Sequence, residues 1–441
     1  MAPPVESVTM TGPVRQINRV AALDVLRGFG LLGILPMTIV GFGLCYEANS
    51  DPTAAGGATV ADLAAWAFFH VTAAGSMRAL FSLIFGASMT LMASRLEGRP
   101  DAADIYCRRL LWLMLMGIAH LFLLWQNDVL YLYAVCALVL YPFRNLRARN
   151  LLTLGAVGLL LLSAYTAVTG FNRRNMIRLG REAAEKAVRQ EMLSERETDA
   201  RREWDDFVKR RHPSPERLRR DAEEWQGGYV SVIKARAHQV LKHYSVPLFH
   251  PSMLNVWGMM FVGMGLMRSG VLTGRHPMRV YQVLLGAGYG IGIPLNGYAA
   301  WLLLDSSFDP VVERFATCLY PLARLSVAVG HIALILILLQ KGRLRWLTDR
   351  LAAVGQMSLT NYIMNSFVCA LIFTGYGFGL YGRLERIELY ALIFPLWTAQ
   401  LILSPIWVRN FRHGPAEWIL RSLTYWRWLP FRRGGPLVSA L

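Results

Sequence analysis

Charge is scarce in this chain. Of its 441 residues only 17% are Asp, Glu, Lys or Arg, against about a quarter in an ordinary soluble protein. Acidic residues are scarcer still: 29 Asp and Glu face 46 Lys and Arg, a formal net charge of +17. With 54% hydrophobic residues and a mean hydropathy of +0.34, a soluble multidomain protein is excluded. Cysteine is also sparse. Cys45, Cys107, Cys136, Cys318 and Cys369 are scattered through apolar stretches with no CxxC or CxxH spacing, so they read as small hydrophobes and exclude a disulfide scaffold. There is no HExxH, no GxSxG, no phosphate-binding GxxxxGK[ST] and no His/Cys/Asp set at ligand spacing, so neither a metal site nor a serine hydrolase is expected. The first twenty residues contain Pro3, Pro4 and Pro13 but no apolar run before a small-residue cleavage site, and no removable signal peptide is expected. In so apolar a chain a pI near 10 is first a matter of membrane topology, and no nucleic-acid partner is expected.

What the chain has instead is long apolar runs, at 21–44, 63–93, 110–125, 129–143, 151–170, 251–267, 281–304, 318–339, 351–378 and 389–407. A bilayer core takes about 20 apolar residues per helix. The pattern predicts an all-α polytopic integral membrane bundle of about ten transmembrane helices, with the lipid bilayer as its first partner. The third and fourth runs are short enough for a tight helical hairpin. The run GAGYGIGIPLNG carries two small-xxx-small pairs, Gly286 with Gly290 and Gly288 with Gly292, which predict close helix packing.

Positive charge gathers on alternate connections. One side holds Arg15 and Arg19, then Arg95, Arg99, Arg108 and Arg109, then Arg144, Arg147 and Arg149, and later Arg268, Arg275, Arg279, Lys341, Arg343, Arg345 and Arg350. The other side holds Glu47, Asp51, Asp62, Asp128, Asp305, Asp309 and Glu313, with Arg314, Arg383 and Arg386 as exceptions. Cytoplasmic loops are enriched in Lys and Arg, so both termini are expected in the cytoplasm. Residues 171–245 stand apart as a charged, helical extramembrane insertion, broken by His212-Pro213-Ser214-Pro215 and placed outside the cytoplasm by alternation. It is either a lid over an outward cavity or a solvated connector. The expected organisation is a cytoplasmic tail (1–20), an N-terminal five-helix bundle (21–170), the insertion (171–245), a C-terminal five-helix bundle (246–408) and a second cytoplasmic tail (409–441).

An ionisable side chain at membrane depth costs about 2.5–3.5 kcal/mol on insertion scales and is a functional candidate by default. Asp24 and Arg27, three apart at the start of the first run, either pair with each other or bind a ligand. His120 near the end of the third run and Asp128 at the start of the fourth are expected to face one outward-opening cavity without bonding to each other. Histidine exchanges a proton near neutrality, and a nearby carboxylate fixes its tautomer or binds an acceptor; the plain alternative is a helix cap and an interhelical hydrogen bond. His70 is expected nearer the outer side, where Gly75 and Ser76 can interrupt the second helix. His331, Ser358, Thr360, Asn361 and Asn365 read as polar glue between helices.

The motifs RVAALDVLRGFGLLGIL, SMRALFSLIFGASM, GIAHLFLLWQNDVLYLYA, MSLTNYIMNS and FRHGPAEWILRSLTY, in that order, resemble the YeiB-like family of bacterial inner-membrane proteins. That family is grouped with transmembrane acyltransferases that include the lysosomal heparan-glucosaminide N-acetyltransferase. The resemblance implies an O- or N-acyltransferase that moves an acyl group from a cytosolic acyl-CoA, the only co-substrate expected, to a small-molecule or glycan acceptor on the outer face. Asp24, Arg27 and Gly28 match its LDxLRG start, with Asp24 and Gly28 structural as Gly286 and Gly290 are. His120 and Asp128 match the hairpin that carries the chemistry, and Asn361 and Tyr362 match SLTNY. Thr38, Ser76 and Asn127 depart from the pattern, where Asn, Lys and Gly are usual. Arg27, Arg108 and Arg109 are the candidates for the acyl-CoA phosphates; Arg108 and Arg109 can equally serve only to set topology. His70, Trp125 and Asn361 are the candidates for acceptor binding, and a homodimer is compatible with the sequence. The competing reading is a secondary transporter or flippase for an anionic or lipid-linked substrate; the polar motifs of the two halves do not match, as the inverted repeats of many transporters would.

The topology is tested by a single cysteine at Ser194 in a cysteine-free background. An impermeant maleimide is expected to label it in intact spheroplasts; labelling only after disruption would reverse the assignment.

Overall fold

The computed structural model of the chain describes residues 21–433 except 56, 58, 212 and 245–250, so Arg15, Arg19 and His212 lie outside the described residues. In chain order the helices are α1 (Ala21–Gly43), α2 (Val60–Thr72), α3 (Ser76–Arg95), α4 (Ala102–Leu123), α5 (Leu130–Leu140), α6 (Ala148–Val188), α7 (Glu195–Arg211), α8 (Pro215–Trp225) and α9 (Tyr229–Tyr244). They continue with α10 (Pro251–Arg268), α11 (Met278–Asp305), α12 (Pro310–Cys318), α13 (Tyr320–Gln340), α14 (Arg345–Gln356), α15 (Ser358–Phe373), α16 (Arg386–Ala391), α17 (Ile393–Asn410) and α18 (Pro415–Tyr425). Among the described residues the only extended pairing is an isolated bridge between Phe411 and Arg432. The protein is an all-α polytopic membrane protein. Six stretches of helix among the described residues, 21–43, 60–95, 102–123, 148–188, 320–340 and 386–410, are long and apolar enough to cross a bilayer.

A helix that is apolar on every side is buried rather than surface-lying. Helix α1 is of this kind, and it runs through the core against α3, α13, α14 and α15. The end of the bundle where α1 begins is called the near face below, and the end where it finishes the far face. Each of the ten apolar runs is largely helical, but the tenth is interrupted at Leu392, between α16 and α17, and three others differ further from simple spans. The second breaks at Gly75, which adopts φ +74°, between α2 and α3. The ninth breaks at Met357, between α14 and α15. The fifth does not stop near residue 170: α6 runs on to Val188, 41 residues in all and about 60 Å long, and carries the start of the charged insertion on the end of a membrane helix.

The rest of the insertion folds back on the far face. Ser194 and Glu197 form a reciprocal cap at the start of α7, and Glu197 also takes Lys186 Nζ at 2.6 Å. That bond, followed by the two from Ser194, pulls the Glu197 carboxyl down to about 2. A break falls at Pro213 and Ser214 as expected, with the Ser214 hydroxyl accepting from Arg217 N at the head of α8, but the insertion is divided into more than the two helical parts expected, since the end of α6, α7, α8 and α9 all belong to it. Arg217 reaches Glu47 at 2.6 Å, Gly375 N donates to Trp225 O at 2.9 Å, and the fully buried Arg236 of α9 donates to Leu123 O at 2.6 Å at the end of α4.

Without a hydrophobic drive between lipid-bathed helices, association depends on close packing at small residues. At Gly28 a Cβ would overlap the Leu351 carbonyl, and at Gly355 it would overlap that of Asp24, so α1 and α14 touch backbone to backbone. Only one of the two small-residue pairs on α11 works this way. A Cβ at Gly288 would lie 2.6 Å from Gly330 N and one at Gly292 2.7 Å from Val327 N, both on α13, whereas Gly286 and Gly290 have nothing within 4 Å. The structural role expected of Gly286 and Gly290 is therefore corrected to Gly288 and Gly292. Two residues along a helix is a rotation of about 200°, so the two pairs occupy opposite sides.

Gly288→Val and Gly292→Val are accordingly expected to lower stability by about 1–3 kcal/mol through overpacking, while Gly286→Val and Gly290→Val leave it unchanged. Unfolding in mild detergent measures all four, and equal losses across them would contradict this register.

Candidate functional site

The α4–α5 hairpin builds the site. A Cβ at Gly117 would overlap Tyr131 N and come within 3.0 Å of Asp128 Oδ2, so glycine at this point lets α5 lie directly on α4. Three residues on, His120 Nδ1 stands 2.9 Å from Asp128 Oδ1. Asp128 Oδ2 accepts Tyr131 N at 2.7 Å, which occupies one of the open N–H groups at the head of α5. Tyr362 of α15 donates its hydroxyl to Asp128 Oδ1 at 3.2 Å, and its ring centroid is 5.0 Å from that of His120. His120 and Asp128 are each 3% exposed. Their proximity is not a linear hydrogen bond: the N–H direction misses the carboxylate, and neither ring nitrogen of His120 has a hydrogen-bonding partner among the described residues.

Two cavities approach this cluster from opposite faces. The far-face cavity, about 560 Å³, is lined by Trp66, Phe69, His70, Arg78, Trp125, Asn127, Tyr133, Glu313, Tyr320, Arg324 and Tyr390, among others. The near-face cavity, about 160 Å³, is lined by Arg27, Ser88, Arg109, Gln356, Ser358, Tyr362, Glu417 and Arg421, among others. Ile34 and Val129 line both and form the wall between them. His120 and Asp128 line neither, which corrects the expectation that the pair faces an outward-opening cavity. The close α4–α5 approach at Gly117 turns the two side chains toward each other and closes Tyr362 over them. The cavities touch their neighbours instead: Trp125, Asn127 and Val129 on the hairpin, and Tyr362 on α15.

A family profile described as "Protein of unknown function (DUF418)" matches residues 266–427. The chain is 30% identical over 432 residues to "Uncharacterized protein YeiB" of Escherichia coli (strain K12), covering 96% of this chain and 99% of that protein. The chain belongs to the YeiB-like family. It is also 27% identical over 435 residues to "Uncharacterized protein YxaH" of Bacillus subtilis (strain 168), covering 96% and 98% of the two chains. A third relative, an "Uncharacterized 39.9 kDa protein in amylase 3'region" of Bacillus acidopullulyticus, is 25% identical over 420 residues, or 95% and 97% of the two.

The remaining sequence-derived residues divide by location. Arg27 and Arg109 line the near-face cavity; Arg27 also pairs with Asp24 at 3.0 Å and donates to Ser88 Oγ at 2.5 Å, so it is held by a structural ion pair while facing the cavity. Arg108 is turned elsewhere, donating to Thr424 O at 3.2 Å and lying over the Trp426 ring. His70 and Trp125 line the far-face cavity, His70 contacting the Tyr320 hydroxyl at 3.2 Å and lying tilted against the Trp66 ring. Asn361 lines neither cavity: its amide donates to Ser404 Oγ at 3.0 Å and Val354 O at 3.2 Å, so it holds helices together rather than facing an acceptor. His331 does the same between Tyr289 OH at 2.7 Å and Thr72 O at 3.0 Å. Sequence reasoning passed over Glu417, whose carboxylate takes Leu359 N, Thr360 N and the Thr360 hydroxyl at 2.6–3.2 Å and so caps α15 from α18. It also passed over Arg324, whose signal was its position inside an apolar run.

Tyr362→Phe removes the one side-chain donor that α15 gives to Asp128. It is expected to lower stability by about 0.6–1.7 kcal/mol, the range of interhelical bonds in membrane proteins, with the fold retained. A parental unfolding midpoint would show that the Tyr362–Asp128 bond contributes nothing.

Proposed function

We propose that this chain is an integral-membrane acyltransferase of the bacterial inner membrane, with both termini cytoplasmic. It transfers an acyl group from a cytosolic acyl-CoA, entering at the near face, to an O–H or N–H acceptor in the far-face cavity. The observation that carries the reading is the arrangement of two cavities, reached from opposite faces and sharing Ile34 and Val129 in their linings, around a buried His–Asp–Tyr cluster.

Arg27 and Arg109 supply guanidinium groups at the near-face cavity, suited to phosphate oxygens. That cavity is small enough to take only the thioester end of the donor, which leaves the nucleotide at its mouth. In the transfer, His120 Nε2 accepts the proton of the attacking hydroxyl or amine as that atom bonds to the thioester carbonyl carbon. The C–S bond then breaks, and the departing thiolate recovers the proton from the imidazolium. Asp128 holds the ring through Nδ1 and stabilises the imidazolium. The loose His120–Asp128 alignment suits this role, since hydrogen bonds of catalytic groups in unliganded sites often tighten only with substrate bound. Because His120 lines neither cavity, reaction requires the 124–129 turn to move and the Ile34–Val129 wall to part. The same wall would serve a transporter that passes its anionic substrate across; in that case no acyl group changes carrier.

His120→Ala is expected to lower transfer of a radiolabelled acyl group by about 10²–10⁴-fold with donor binding intact, and Asp128→Asn to lower it less. Both variants must melt like the parent for the comparison to count. Full turnover in a well-folded His120→Ala protein would remove the histidine from the chemistry. Substrate uptake into proteoliposomes without acyl exchange would favour the transporter.

A further inference from the structure

Among the described residues that line the far-face cavity, arginines outnumber carboxylates. Arg78, at the first turn of α3, and Arg324, on α13, both line it. Neither side chain has a hydrogen-bonding or ion-pairing partner among the described residues, although Arg324 lies over the Tyr320 ring with its guanidinium carbon 4.0 Å from the centroid. Their charges oppose one another across the cavity. A third lining cation, Arg386, is already engaged by Ala48 O and the Tyr390 hydroxyl. The one lining carboxylate is Glu313, which has contacts of its own. Trp125, which also lines the space, holds an indole N–H that is buried with no acceptor.

This arrangement is built into the backbone. Any Cβ at Gly75 would overlap the Arg324 side chain, so the positive-φ glycine that breaks the second span also makes the room in which Arg324 lies beside the start of α3. Guanidinium groups and an indole N–H can only donate. Two cations lining one space at membrane depth, neither of them ion-paired, are costly, and such groups ordinarily mark a ligand path. An anion relieves both conditions at once. Two guanidiniums match a phosphate, with its charge near −2 and three acceptor oxygens, better than the single charge of a carboxylate. The aromatic walls, Trp66, Phe69 and Trp125 with His70 against Trp66, offer flat apolar faces beside the charged end. A volume of about 560 Å³ suits a small molecule or a lipid headgroup.

We propose that the far-face cavity is a phosphate site held by Arg78, Arg324 and the Trp125 indole, and that the acceptor is a phosphorylated, ring-bearing molecule, either a soluble sugar phosphate or the polar head of a lipid. The assignment of this ligand as acceptor rests on the acyltransferase reading; the binding of phosphate does not.

The test uses the full chain. In detergent, binding of glucose 1-phosphate is compared with that of glucose; in nanodiscs, retention of phosphatidic acid is compared with that of diacylglycerol by native mass spectrometry. The phosphorylated probe is expected to bind and the uncharged one not, with selective binding of glucose 1-phosphate pointing to a soluble ligand and selective retention of phosphatidic acid to a lipid headgroup. Arg78→Gln and Arg324→Gln are each expected to weaken the bound probe at least about tenfold, and Arg324→Lys to recover part of the loss. The exposed Arg279→Gln serves as a surface-charge control and is expected to bind as the parent does. Parental binding in both cavity variants, an equal loss in Arg279→Gln, or no preference for the phosphorylated member of either probe pair would overturn the proposal. His120→Ala is expected to bind as the parent does, so a failure of the acyltransferase reading would appear as retained binding without transfer.

Discussion

Backbone-to-backbone contact at glycine is the constraint on which this bundle depends. Lipid is as apolar as a leucine side chain, so helices in a membrane gain little by hiding apolar surface from it and must gain from close packing instead. Gly28 and Gly355 bring α1 onto α14, Gly86 and Gly263 bring α3 onto α10, and Gly288 and Gly292 bring α11 onto α13. The same device at Gly117 closes the α4–α5 hairpin and so decides that His120 and Asp128 meet. At Gly75 it works differently: the positive φ turns the chain, and the missing side chain leaves space for Arg324.

Polar groups in such an interior have to be satisfied by the protein itself, and most of them are. Asn361 is bonded to Ser404, His331 to Tyr289 and Thr72, Glu417 to the head of α15, and Arg236 to the end of α4. Against that background both ring nitrogens of His120 and the indole N–H of Trp125, on one hairpin, are buried without a hydrogen-bonding partner among the described residues, as are scattered atoms elsewhere such as Asn255 Oδ1, Gln400 Oε1 and Arg236 Nε. An incomplete set of hydrogen bonds therefore bears on function only where a cavity lies beside it, as one does at Trp125.

The insertion illustrates how a soluble segment is joined to a membrane core. Because α6 does not end at the membrane boundary, the charged half is positioned by a rigid helix, and Arg217, Trp225 and Arg236 then fix it to the far-face loops. Arg236 in particular ties it to the last carbonyls of α4, a turn beyond His120, so the insertion bears directly on the hairpin that carries the site.

Local composition by itself determined the helical class, the positions of the apolar runs, the charged insertion, the helix break at Gly75 and the His-Pro-Ser-Pro turn, because each depends on residues adjacent in the chain. It also pointed to His120 and Asp128, since an ionisable group in an apolar run stands out wherever it lies. Tertiary packing decided what those residues face. Whether Gly286 or Gly288 touches a neighbour is a matter of helix rotation, and whether Arg108 or Arg109 reaches a cavity depends on one residue's turn of α4. The partnership of Arg78 with Arg324 joins positions 246 residues apart, by subtraction of their sequence numbers. No local pattern records such a pairing, because it arises only when separate helices close around the same space.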